Sequence, residues 1–161
     1  MNATTDQKQM ISPEQLLIHW QGHRGLTRRV IEAFPEKELF EFSIGGMRPF
    51  AKLALELLAI AAPGLKEIVT GVNTPFNDQF QEIKTKAALL KKWDEDTEVI
   101  DTYWKQISIE RFSENINLFG QYDFPVINNI LYFIDNEIHH RGQGYVYLRA
   151  LGIEPPPFWD R

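Results

Sequence analysis

The sequence predicts an all-α protein, a four-helix bundle with one long connection. Three observations point there. Four stretches of bundle length carry apolar residues mostly at three- and four-residue steps, no stretch alternates apolar and polar residues as a half-buried strand does, and most helix ends carry recognisable start or stop residues. The chain has 161 residues, 43% hydrophobic and 24% charged, enough for one sizeable core and too few to make two. Residues 1–161 therefore read as a single domain, with a polar N-terminal tail over 1–11 and a Pro-rich C-terminal tail over 153–161.

Ser12-Pro13-Glu14-Gln15 begins the first helix: Ser12 caps, Pro13 takes the first helical position and Gln15 can bond back as in a capping box. Leu16, Leu17, Trp20, Leu26, Val30 and Ile31 form its apolar stripe to about Phe34, where Pro35 and the acidic stretch Glu36 to Glu41 end it. After the Gly45-Gly46 join, Pro49 opens a second helix whose run Phe50 to Ile60 is apolar enough to belong in the core. Pro63-Gly64 predicts a kink or local break in the pattern that continues to Val69, and Gly71 to Asp78 reads as a loop at the start of the long crossover. A third helix from about Thr85 is marked by Leu90, Trp93, Thr97, Ile100, Trp104 and Ile107, the steps of a bundle seam. Ser108 to Tyr122 is irregular. Asp123 then caps a last helix running through Ile127, Ile130, Leu131, Ile134, Ile138, Tyr145 and Leu148 to a glycine stop at Gly152, with Pro155 to Pro157 forbidding continuation.

Composition removes several function classes. No cysteine is present, which excludes disulfides, thiolate nucleophiles and Cys-based zinc or iron–sulfur sites and leaves His, carboxylate and amide groups as metal ligands. A formal charge of -5, with basic pairs only at Arg28-Arg29 and Lys91-Lys92, offers no broad surface for a phosphate backbone, so nucleic acid is not an expected partner. No apolar run approaches the roughly 18 residues of a membrane span, so no membrane partner is expected and a cytoplasmic location is.

The last helix holds the most specific pattern. Asn136-Glu137-Ile138-His139-His140-Arg141-Gly142-Gln143 is followed by Tyr147-Leu148-Arg149, Gly152 and the Pro-Pro tail. A histidine directly before Arg-Gly-Gln, then Tyr-Leu-Arg, Gly and Pro-Pro, resembles the C-terminal signature of the DinB/YfiT-like family, the DNA-damage-inducible DinB-like metalloenzymes. Helix order and loop placement extend the likeness over nearly the whole chain. The resemblance implies an up-down-down-up bundle, often a homodimer, with a divalent metal held by three histidines, one from the second helix and two from the fourth. The fourth-helix pair normally sits four residues apart, on one helix face. Placed on this sequence, the ligand positions are Glu56, Asn136 and His140, so two of the three carry other residues.

A Glu/Asn/His set binds zinc, nickel, manganese or iron more weakly than three histidines, and the neutral amide suits harder ions. Two readings stand: a modified metal site, or a metal-free polar cluster of Glu56, Asn136 and His140, the second favoured by ligand chemistry. Glu56, set among Leu53, Leu55, Leu57 and Leu58, is costly to bury unless paired and should face a site or a partner. What the resemblance implies for function is metal-dependent thiol S-transferase or hydrolase-like chemistry with a low-molecular-weight thiol, Glu56 and His140 holding metal or serving as base. The alternative is a non-catalytic stress-response or small-molecule-binding bundle that has lost the metal.

Other candidates have plainer explanations. His19 and His23 have metal-compatible spacing but no third ligand nearby in sequence, so exposed or capping roles are expected. His139 lies about 100° round the helix from His140 and should face solvent or pair with Asp135. Arg141 and Arg149 read as salt-bridge partners, and Tyr145, Tyr147, Trp93 and Trp104 as bundle packing. Gly142 and Gly144 within a helix imply close approach of another helix or a ligand. Those glycines, with the apolar excess of the second helix, suggest a homodimer.

Overall fold

The computed structural model describes residues 10–161, so most of the N-terminal tail lies outside the described residues. In chain order the elements are α1 (Pro13–Ala33), α2 (Glu36–Glu41), α3 (Phe50–Thr70), α4 (Lys86–Trp104), a 3-10 turn (Glu110–Ser113), β1 (Asn115–Leu118), β2 (Tyr122–Pro125) and α5 (Val126–Ala150). The protein is mostly helical but not all-α. The stretch read as irregular folds into an antiparallel hairpin in which Ile116 faces Phe124 and Leu118 faces Tyr122. Its turn uses two left-handed residues, Phe119 (φ 54) and Gly120 (φ 69).

Local chemistry sets most helix ends where expected. Ser12 and Gln15 close the capping box on α1, and Thr85 accepts from the Ala88 amide at the start of α4. Gly71 and Gly152 take the left-handed conformation that ends α3 and follows α5. Three details differ. Asp123 sits in β2 and does not cap α5, which starts after Pro125, an N-cap residue with extended backbone and no side-chain cap bond. The acidic stretch after Pro35 forms the short helix α2. At Pro63-Gly64 the helix continues without a break; a Cβ on Gly64 would lie 2.6 Å from the Phe133 ring, so packing against α5 supports this turn.

The four long helices pack α1 against α4 and α5, and α3 against the same two. Gly144 lies against Phe50 and Gly64 against Phe133, which sets α3 antiparallel to α5. Gln21 bonds Asp101 and Arg28 bonds Asp94, which sets α1 antiparallel to α4. Two apolar clusters fill the interior. One surrounds Trp20, Leu65, Ile100, Trp104 and Phe133; the other surrounds Phe34, Phe50, Leu57, Trp93 and Tyr147. Each such buried Leu or Phe contributes about 1.5–3 kcal/mol. Between these clusters, along α1 and α5, lies a layer of polar side chains.

Gly144 therefore answers to an intrachain contact, whereas Gly142 is exposed with no neighbour where a Cβ would stand. The apolar excess of α3 is buried within the chain. Neither feature any longer argues for a dimer.

Candidate functional site

The polar layer has two halves, one on each side of α5. On the α3 side, His140 Nε2 lies 3.1 Å from Glu56 Oε1, and its Nδ1 lies 2.7 Å from Gln143 Oε1. Arg48, half-exposed in the segment leading into α3, places its guanidinium 2.6 Å from Glu56 Oε2. Burial raises the Glu56 carboxyl's pKa, but the bonds from Arg48 and His140 outweigh it and leave the group below the ordinary carboxylate range. An ionised carboxylate has no hydrogen to donate, so Nε2 of His140 carries the hydrogen of their bond.

Glu56 also borders a cavity of about 150 Å³ between α3, α5, the hairpin and the loop after α3. Phe119, Phe133, Leu118 and Ile60 supply buried apolar wall, while Phe76, Tyr122 and Tyr132 stand partly exposed at its edge. The left-handed backbone at Phe119 aims its ring into this space, a strained conformation of the kind found at binding sites. Its amide is held by Glu67, whose carboxylate also accepts from the Asn73 side chain and the Thr74 amide, tying the hairpin and the loop to α3.

On the α1 side the polar groups are buried. Thr27 donates to Glu137 Oε1 at 2.6 Å, Arg24 lies 3.9 Å from Glu137 Oε2, and Arg141 donates to Thr27 Oγ1 at 3.1 Å and to His23 Nδ1 at 2.8 Å. Arg24 also covers the Trp93 ring, 4.2 Å from its centroid, and bonds Thr97. Burial raises the Glu137 carboxyl's pKa against the pull of Arg24, Thr27 and Arg141. His23 is pushed down to about 4 by burial, then by Arg141, His19 and Arg161.

The structure thus brings together two of the three candidate site residues, Glu56 and His140. Asn136 lies one turn before His140, makes no hydrogen bond to either, and its buried amide nitrogen has no partner. His139 faces solvent as expected. His23 corrects the expectation of an exposed or capping residue: it is buried, with its Nε2 3.2 Å from that of exposed His19, because Arg141 from α5 bonds its other nitrogen. Arg141 is a salt-bridge partner as expected, 4.0 Å from Glu137, in a buried group with Thr27 and His23, while Arg149 is exposed. Tyr147 donates to the Arg48 carbonyl and Trp93 to that of Arg24, as packing residues do. Sequence reasoning missed Arg48 and the aromatic cavity. Gln143 was visible in the Arg-Gly-Gln run, three residues from His140 on the same helix face.

Comparison with known proteins decides the family. The model of the DinB family matches residues 1–160. This chain belongs to the DinB family. Among DinB relatives, YjoA of Bacillus subtilis is 25% identical over 158 residues, covering 94% of this chain and 99% of YjoA. The crystal structure of YjoA superposes with a TM-score of 0.75 at 22% identity, covering 91% of this chain and 99% of that one. A DinB-like protein from Bacillus cereus gives a TM-score of 0.71 at 16% identity, with coverages of 89% and 95%. A mutant of the mycothiol-dependent maleylpyruvate isomerase shares the fold at a TM-score of 0.64 and 17% identity, covering 88% of this chain and 68% of that one.

The three candidate residues, Glu56, Asn136 and His140, can be tested against a divalent ion on their own geometry. Glu56 and His140 approach as closely as two ligands of one ion would, but Arg48 already bonds the second carboxylate oxygen, which a directly coordinated metal would need. The third candidate is a neutral amide, a weak ligand for zinc or nickel. Among the described residues no group of three His, Cys, Asp or Glu side chains converges in metal-binding geometry. This donor set does not fit the ion that three histidines would hold.

Proposed function

We propose that this DinB protein is a small-molecule-binding four-helix bundle of up-down-down-up order whose site, Glu56, His140 and the adjoining aromatic cavity, works without a metal in the cytoplasm. One observation carries the reading: Glu56 lines the cavity and at the same time bonds His140 and Arg48. A ligand in the cavity would meet an oriented carboxylate at one end and rings elsewhere, the mostly apolar pocket with few placed polar groups typical of small-molecule sites. The helix directions set by Phe50–Gly144 and Gln21–Asp101 support the bundle order.

The His140–Glu56 bond favours a second reading, an enzyme acting on or with a low-molecular-weight thiol. The imidazole can give the Nε2 hydrogen to a reacting group and the carboxylate can take one, the two halves of acid–base catalysis. The mycothiol-dependent neighbour shares the fold and suggests the thiol, which a cosubstrate would bring. Homodimer assembly is a further proposal, supported by exposed Ile18, Leu131, Ile138 and Val146 on α1 and α5; a monomer mass at micromolar concentration contradicts it.

The binding reading is tested by NMR with benzyl alcohol as probe. Saturable shifts at the Ile60 and Leu118 methyls and at the His140 ring, reduced by Phe133→Trp, are expected. Shifts confined to the outer surface of α4 would refute it.

A further inference from the structure

We infer that the cavity is built for a small organic cation, an amine or quaternary ammonium on a compact apolar body. This inference rests on the binding reading above. Three observations support it. First, the only formally charged side chain lining the cavity among the described residues is the Glu56 carboxylate; no lysine or arginine lines it. Arg48 and His140 each take one oxygen and neither lines the cavity, yet an ionised carboxylate accepts about four hydrogen bonds, so acceptor capacity remains on the one charged group that does.

Second, aromatic rings surround this carboxylate. Phe119 and Phe133 are buried, and Phe76, Tyr122 and Tyr132 stand partly exposed at the edge. The faces of such rings carry negative electrostatic potential and attract ammonium groups, the arrangement that recognises quaternary ammonium ligands elsewhere. Tyr122 and Tyr132 stack with centroids 6.3 Å apart, so one side of the opening presents a paired aromatic wall. The Tyr132 hydroxyl is pushed up by burial, then by Tyr122 and Glu56, which places this wall within the field of the same carboxylate.

Third, the size is suitable. A space of about 150 Å³ matches a single six-membered ring, since an engineered apolar cavity of similar volume binds benzene. An anion would meet Glu56 and the ring faces with like-signed potential, and a neutral isostere would use the apolar walls alone.

The test is a matched series titrated into the full chain at pH 7, followed by NMR and calorimetry: benzylammonium, benzyl alcohol and benzoate. Benzylammonium should bind about tenfold more tightly than benzyl alcohol, an increment typical of a desolvated cation–π site. Benzoate should bind most weakly. Glu56→Gln should reduce the preference for benzylammonium over benzyl alcohol to less than about threefold. Phe76→Leu, on the exposed loop, removes a ring face while keeping apolar bulk and should weaken benzylammonium by about threefold. Equal affinity for ammonium and alcohol, or strongest binding of benzoate, would overturn the cation inference and leave the binding reading standing. If none of the three shifts Ile60, Leu118 or Phe133, the binding reading fails and the cation inference with it.

Discussion

His140 and Arg141 are neighbours on α5, yet they serve opposite kinds of polar site. Arg141 points toward α1 into a buried group in which Thr27, His23 and Glu137 are linked by hydrogen bonds or close ion pairs. His140 points toward α3 into a partly open group whose carboxylate borders a cavity. One helix thus divides a polar layer into a closed half that joins two apolar clusters and an open half able to meet a ligand. Buried charge alone does not mark a functional site; access to space does. A buried ion-paired group is a structural element, costly to break when one partner is removed.

The contrast is broken most severely at Glu137. Glu137→Ala leaves Arg24 and Arg141 buried without their carboxylate and should lower unfolding free energy by about 3–5 kcal/mol in urea titration. Glu56→Ala, facing half-exposed Arg48, should cost about 1 kcal/mol or less while abolishing the benzylammonium preference. Similar losses from the two variants would erase the distinction between the halves.

Gly64→Ala tests the cavity wall. The new Cβ would stand 2.6 Å from Phe133 Cζ and 3.3 Å from Phe119 Cζ, so at least one ring must move. Overpacking of this kind costs about 1–3 kcal/mol, and calorimetry should show weaker probe binding. Unchanged affinity would mean that the rings do not form the ligand's contact surface.

The closed half should also reveal itself through pH. His23 has a folded value of about 4 against an ordinary 6.5, so its neutral ring is favoured by the fold and its contribution is fully present above pH 6.5. As pH falls from 6.5 toward 4 the unfolded chain takes up the proton first, and that stability is lost. Wild-type stability should fall more steeply across this window than that of His23→Gln, measured by urea unfolding at half-unit pH steps. Parallel curves would place His23 in contact with solvent. The smallest effect belongs to His139, whose exposed ring makes only an edge contact with that of His140, 5.1 Å between centroids: His139→Ala should change stability by less than about 0.5 kcal/mol and leave probe binding unchanged.

Much of the scaffold was legible because it is written in local chemistry. Ser12 with Gln15, Thr85, Gly71 and Gly152 act through hydrogen bonds or backbone conformations a few residues wide. The hairpin was hidden because its strands span only four residues each and its turn begins with Phe119, an unusual left-handed residue. Glu56 and His140, from α3 and α5, lie within hydrogen-bond distance, but Arg48 reaches Glu56 from the segment before α3, and nothing in the spacing of Arg48 announces that contact. The closed half was obscured for a different reason. Arg24, Glu137 and Arg141 resemble an ordinary solvated helix face until tertiary packing turns those faces inward.

The central claim, that the open half works as a metal-free polar site, is tested most directly by elemental analysis of untagged protein purified without chelators, beside His140→Ala. The account predicts less than about a tenth of an equivalent of zinc, nickel, manganese or iron in both proteins after equilibration with added ions and dialysis, well short of the stoichiometric occupancy of a true metal site. Near-stoichiometric metal in the wild type that His140→Ala abolishes would contradict it.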